Sequence, residues 1–306
     1  MFMKRLGTFY LQDMRAFLSR EIISVNGVIS KPGETSISVM DRGFLYGDSV
    51  YEVTLTYNRI PFLLDEHLDR LYRSAKSIYM DFSFTREELV SEIFKVVEAI
   101  EGDRLYIRII VTRGEGEINL DPAAAKSNNL VIIGRQLPEY PKSWYEEGVT
   151  LIVSDVLRNS KRSIDPGVKS GNYLNNVLAM AEAKEKGAFD AMMLNYKGNI
   201  TEGTTSNIWI VEGDHFITPP LDAGLLGGIT RKSLLLLASK NGLNVSEENI
   251  TPERLKKADE CFLTSSTKEI VPIVKVDDSL IGSGKPGPKT QKLHQIYKQF
   301  VLDSIS

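Results

Sequence analysis

Two runs of the chain, RLYIRIIVTRG at 104–114 and NNLVIIGR at 128–135, are apolar almost throughout and rich in β-branched residues. Runs of this length and composition read as central strands, and they oblige the rest of the chain to supply something that covers them. The preceding sequence does so. EIISVNGVIS at 21–30 places Asn26-Gly27 between apolar runs, the strongest short-range hairpin signal, and residues 49–57 read as a further strand. Leu68, Leu71, Ala75 and Ile78 recur at helical spacing, which predicts a helix over 65–79 with Asp65 as its N-cap. The same count predicts a second helix over 86–100.

These elements make one α+β unit, and 306 residues are more than one core readily serves, since cores stop growing at about 250–300 residues. QLPEYPKSW, with Pro138 and Pro141, has the composition of a linker. The sequence therefore predicts a two-domain α/β (α+β) protein: an N-terminal extension at 1–20, a small α+β domain at 21–135, a linker at 136–145 and a larger domain at 146–306. The larger domain opens with the strand VTLIVSD and continues with a helix over about 172–186. Strands are expected around 191–194 and 207–211. A helix over 229–241 closes at Gly242, and Thr251-Pro252 starts another with proline at its first position.

A formal net charge of -3 argues against binding a polyanion, which needs a basic surface that releases counterions. The single cysteine, Cys261, excludes an intramolecular disulfide framework and paired-cysteine motifs. His67, His215 and His294 lie far apart without ligand spacing, so no metal site is expected. The first twenty residues are interrupted by Lys4, Arg5, Asp13 and Arg15, unlike a secretory signal, and no run of about 18 apolar residues exists to span a bilayer. A cytoplasmic enzyme with no membrane or nucleic-acid partner is expected. The extension reads either as a short docking helix or as a partly disordered tail.

Several residues stand out as chemistry-bearing. Lys169, in IDPGVKSGNYLNN, follows a Pro-Gly turn and precedes a helix. Most lysines are solvated surface charges, but partial burial against an apolar helix favours the neutral, nucleophilic amine. Glu202, in NITEGTTSNIWIV, lies between a strand and a buried-looking run, where a carboxylate needs a positive partner. That partner is either an internal cation or a protonated pyridine nitrogen. Gly227 and Gly228 precede Ile229-Thr230-Arg231 at a predicted helix start, which leaves backbone N–H groups free to bind a phosphate or simply makes a turn. The run LTSSTK at 263–268 ends a strand in hydroxyls. Tyr106 and Arg108 are two apart on one strand, so they share a face opposite Ile107 and Ile109. An arginine in such a run should be largely buried, and it then needs either a substrate carboxylate or an internal Asp or Glu.

Taken in order, KSGNYLNN, ITEGTTSN, GGITR and LTSSTKEIVP resemble the fold type IV, or class IV, pyridoxal-phosphate aminotransferases. That group contains branched-chain and D-amino-acid aminotransferases and aminodeoxychorismate lyase. The resemblance extends over 22–301 and includes DRGFLYGDSVYEV and EHLDRL. It implies a pyridoxal 5′-phosphate enzyme in which Lys169 is the Schiff-base lysine and catalytic base, Glu202 meets the pyridine nitrogen and Tyr173 bonds the ring oxygen. Arg70, the backbone of Ile229 and Thr230, and the hydroxyl of Ser266 beside Ser265 would hold the phosphate. Tyr46, Tyr51, Tyr106 and Arg108 would form the substrate pocket, completed by the neighbouring subunit of a homodimer.

The loop TRGEGEINLDP and the Tyr106-Ile107-Arg108 strand resemble the branched-chain enzymes, which implies exchange between a branched-chain L-amino acid and 2-oxoglutarate. The D-amino-acid enzymes place an arginine and a histidine after this loop, where this chain has Ile118 and Leu120. YEVTLTYN, however, is closer to the D-enzymes, and Leu55 stands where the branched-chain FEGIR pattern has arginine. D-amino acids, (R)-amines and a lyase reaction of the aminodeoxychorismate type remain the alternatives.

Overall fold

The computed structural model describes residues 20–305, so the reading of the N-terminal extension, apart from Arg20, lies outside the described residues. The chain divides into two compact units after Pro138. In the first, β1 (Glu21–Val25) and β2 (Val28–Ser30) form the expected hairpin. Asn26 and Gly27 both take positive φ, 49° and 84°, as a two-residue turn matched to the strand twist requires. The short helix α1 (Arg42–Tyr46) then leads into β3 (Ser49–Tyr57) and β4 (Ile60–Pro61), followed by α2 (Leu64–Ser77), α3 (Arg86–Glu98), β5 (Leu105–Thr112) and β6 (Asn129–Gln136). The six strands pair antiparallel in the order β2-β1-β6-β5-β3-β4. Helices α2 and α3 cover one face, packing Leu68, Leu71, Leu89 and Ile93 onto Ile107, Ile109 and Ile132.

The cap of α2 differs from the sequence reading. Its N-cap is Leu63, held in the left-handed region at φ 49°, and Asp65 lies in the first turn, where its charge suits the positive end of the helix dipole without capping it. Thr85 instead caps α3 through a full capping box with Glu88.

The second unit begins with a single turn, α4 (Ser143–Glu146), which overlaps the end of the stretch read as linker, and then β7 (Val149–Val153). It continues through α5 (Leu174–Glu185), β8 (Asp190–Leu194), β9 (Ile200–Gly203), β10 (Asn207–Glu212) and β11 (His215–Thr218). The remaining elements are α6 (Ile229–Lys240), β12 (Asn244–Glu247), α7 (Pro252–Lys256), β13 (Glu260–Ser265), β14 (Glu269–Val276), β15 (Ser279–Leu280) and α8 (Pro288–Ile305). The main path is β12-β11-β10-β13-β14-β7-β8-β9, and β9 pairs again with β10, so that β10, β13, β14, β7, β8 and β9 form a closed circuit. Apolar side chains including Leu151, Met192, Ile208, Leu263 and Val271 form one core cluster of this circuit. Parallel neighbours need a crossover. Here β7 and β8 are joined through α5, and β11 and β12 through α6. The first crossover carries Lys169 and Tyr173, and the second carries Gly228, Ile229 and Thr230.

Candidate active site

Lys169 lies on the connection from β7 to α5, half-buried. The turn before it is set by Asp165, whose carboxylate accepts from Gly167 N at 2.8 Å. Lys169 Nζ lies 3.2 Å from Tyr173 Oη, and Arg158, Lys169, Tyr173 and Leu226 line one cleft.

Glu202 lies on β9 itself, its side chain 6% exposed. Arg158 Nε donates to Oε1 at 2.8 Å, and the Leu226 N–H donates to Oε2 at 3.0 Å. Arg158 is itself held, donating from its terminal nitrogen to Oδ1 of Asn175 at 2.9 Å and of Asn176 at 3.3 Å. The internal cation of the sequence reading therefore exists. It does not exclude a pyridinium, because a carboxylate offers about four lone-pair sites and two bonds leave room for another donor. Sequence reasoning missed Arg158, which sits in RNSKR and looks like any basic surface loop. The one available signal was the rule that a buried Glu202 needs a cation.

Strand register aligns this carboxylate with the glycine-rich turn. Glu202 pairs with Asn207 across β9 and β10, and Asn207 pairs with Thr264 across β10 and β13. Asn207 Nδ2 donates to Leu226 O at 2.9 Å, and a Cβ built on Gly228 would lie 2.0 Å from Asn207 Oδ1. Only glycine permits this approach. Gly228 is the N-cap of α6 and has no side chain to cap it, so the N–H groups of Ile229 and Thr230 begin the helix without intrahelical acceptors, as an anion site requires. One residue beyond Thr264, Ser265 Oγ accepts from Lys268 N at 3.1 Å, which commits it to its own turn, and Ser266 follows half-buried. The amine, phenol, carboxylate, uncapped helix start and hydroxyl turn of this unit fit the chemical groups of pyridoxal phosphate.

In the first unit, Arg70 on α2 reaches the helix-covered face of the sheet. There it forms a side-on pair with Glu52 of β3, Nε to Oε1 at 2.6 Å and a terminal nitrogen to Oε2 at 2.8 Å. His67 Nδ1 lies 2.8 Å from the same Oε2. Burial disfavours the charge on Glu52, which is 0% exposed, but the Arg70 charge and the hydrogen bonds from Arg70 and His67 outweigh it and hold the carboxyl well below its ordinary range. The other face carries Tyr51, Tyr106 and Arg108, consistent with full burial of Ile107 and Ile109 behind them. Arg108 is partly buried on this face, beside the buried Tyr51 and Leu55. Its guanidinium stacks on Tyr51 at 4.0 Å, and no acidic side chain among the described residues pairs with it. Tyr46, ending α1, is half-buried beneath the Arg42 guanidinium at 5.1 Å. The sheet thus places Arg70 on one face and the three other pocket candidates of β3 and β5 on the other.

Among the described residues there is no metal-holding cluster and no helix long and apolar enough to cross a membrane. Residues 49–276 match the family model described as amino-transferase class IV. The chain is 38% identical over 276 residues to a putative branched-chain-amino-acid aminotransferase of Methanocaldococcus jannaschii, covering 90% of this chain and 95% of that one. It is 35% identical to a D-alanine aminotransferase of Bacillus licheniformis, covering 92% and 97%. Among solved structures, a T.th. branched-chain amino acid aminotransferase complexed with N-(5′-phosphopyridoxyl)-L-glutamate superposes with a TM-score of 0.86 at 28% identity, covering 94% and 96%.

Proposed function

The chain belongs to the class IV aminotransferases, pyridoxal 5′-phosphate enzymes that transfer amino groups, and within that family we propose exchange between a branched-chain L-amino acid and 2-oxoglutarate. The observation that carries the substrate reading is Arg108, stacked on Tyr51 with no acidic partner among the described residues. The same sheet face presents Val53, Leu55, Ile110 and Ile133 beside it. A cation set in an apolar and aromatic surface suits a substrate pair in which one member has a distal carboxylate and the other an aliphatic chain.

When bound, pyridoxal phosphate supplies a carbonyl that condenses with amines and a ring that withdraws electrons. The chain supplies the rest. Lys169 Nζ would hold the cofactor covalently and, as a free amine, would take the proton that leaves the substrate Cα. Glu202, paired with Arg158, would hold a proton at the ring nitrogen, and Tyr173 would hydrogen-bond the ring oxygen. The N–H groups of Ile229 and Thr230, the hydroxyl of Ser266 and the guanidinium of Arg70 hold the phosphate, while Ser265 shapes the turn. Tyr46, Tyr51, Tyr106 and Arg108 receive the substrate. A homodimer whose subunits complete each other's pockets belongs to this reading.

A second reading, transamination of D-amino acids, has two observations in its favour. Leu55 is a buried apolar residue where the branched-chain pattern places an arginine, and D-alanine aminotransferases are among the relatives. Steady-state kinetics with L-leucine, D-alanine, D-glutamate and (R)-1-phenylethylamine against 2-oxoglutarate separate the two. Preference for L-leucine supports the proposal, and preference for any of the other three overturns it. Failure to convert 2-oxoglutarate to glutamate with any donor would favour a lyase.

A further inference from the structure

The hydroxyl turn between β13 and β14 closes on a residue in a backbone conformation that side chains disfavour. Ser265 pairs with Glu269 across the turn, and Glu269 sits in the left-handed region at φ 59°, where glycine is the ordinary choice. A residue kept there signals surroundings that over-determine it, and here they come from two elements distant in sequence. His294 Nε2 of α8 lies 2.9 Å from Glu269 Oε2, the two side chains being 12% and 11% exposed. Tyr145 of α4 stacks on the His294 ring at 5.7 Å and donates its hydroxyl to Lys268 O at 3.2 Å. Glycine at 269 would relieve the backbone and give up the contact with α8, so closing the turn is not by itself a reason for a carboxylate there.

The clasped turn is in register with the candidate site of the same unit. Thr264, which precedes it, pairs with Asn207, and the Asn207 side chain bonds Leu226 O and abuts Gly228 at the start of α6. Ser266 and Thr267 lie between the end fixed by this row and the end held by Tyr145 and His294.

We propose that His294 and Glu269 are positioning residues, through which α8 holds the turn so that the Ser266 hydroxyl meets the cofactor phosphate. The inference rests on the reading of Ser266 as a phosphate ligand. It gives the C-terminal helix a part in cofactor affinity, because a hydroxyl on a turn fixed beforehand loses less freedom on meeting the phosphate.

The test compares two probes on cofactor-free full-length protein, pyridoxal 5′-phosphate and pyridoxal, which lacks the phosphate. S266A should weaken pyridoxal phosphate roughly tenfold or more, as loss of a hydrogen bond to a charged group does, while pyridoxal binding stays within about twofold. H294F keeps a ring to stack on Tyr145 and removes the nitrogen that meets Glu269. It is expected to weaken pyridoxal phosphate roughly three- to tenfold, again with pyridoxal within about twofold. The double variant H294F/S266A should bind pyridoxal phosphate no more weakly than S266A alone, since the two residues act through one contact. E269G takes the left-handed backbone freely, so it is expected to fold and to show the same selective loss, and it carries the test should H294F not fold. Unchanged affinity for pyridoxal phosphate in a folded H294F or E269G protein, equal loss for both probes, or additive loss in the double variant overturns the positioning role while the S266A loss stands. Unchanged affinity in S266A overturns the phosphate reading of Ser266, and the inference with it.

Discussion

Replacing Arg158 by methionine removes the cation from a carboxylate that has nowhere else to go. Arg158 and Glu202 have side chains 8% and 6% exposed and meet at 2.8 Å, so the substitution leaves an uncompensated buried charge. Removing one partner of such a pair costs about 3–5 kcal/mol, whereas replacing both by neutral groups costs much less. The second unit has a size for which each kcal/mol moves the melting temperature by about 2–4 °C, so R158M should melt roughly 6–20 °C below wild type. Glu202→Gln in the same chain should recover most of that loss, because a neutral amide needs no counter-charge. Differential scanning calorimetry of cofactor-free protein reads both values. An R158M protein melting within about 2 °C of wild type, or a double variant no more stable than R158M, would refute the argument that burial makes Glu202 depend on Arg158.

Gly228→Ala should push the new methyl group against Asn207 Oδ1, which a Cβ there would meet at 2.0 Å, and costs about 1–3 kcal/mol of overpacking. Titration with pyridoxal phosphate should show weaker binding, and unchanged affinity would mean that the helix start tolerates displacement. Acid should destabilise the first unit in part through Glu52. Burial acts against its ionisation, but Arg70 and His67 dominate and depress its folded value below the ordinary 4.5. A depressed carboxylate contributes stability that is present above its unfolded value and lost as pH falls below it. Stability of wild type should therefore fall more steeply below pH 4.5 than that of E52Q, as measured by denaturant midpoints at successive pH values. Parallel curves would contradict this.

Local signals in the sequence were sufficient wherever one kind of interaction decides the structure. The Asn26-Gly27 turn, the strands β3, β5 and β6, and the proline-started α7 follow from short-range backbone preferences and apolar runs. The alternation that put Tyr106 and Arg108 on one face followed from strand geometry alone. What stayed hidden depends on partners distant in sequence. Glu52 and Arg158 are ordinary letters until the fold places Arg70 and Glu202 beside them, and the row Glu202, Asn207, Thr264 exists only through strand register. The 18-residue helix α8 also went unread, although its periodic Leu293, Tyr297 and Val301 are buried.

The account turns on Lys169 as the residue that carries the cofactor. Borohydride reduction of the holoenzyme fixes any imine between pyridoxal phosphate and a lysine as a stable secondary amine, and peptide mass spectrometry then locates it. The account predicts the phosphopyridoxyl group on the peptide containing Lys169 alone, and no such label in Lys169→Ala, which should also lose nearly all transamination. A label on any other lysine, an unlabelled holoenzyme, or a K169A variant that still transaminates at the wild-type rate would contradict it.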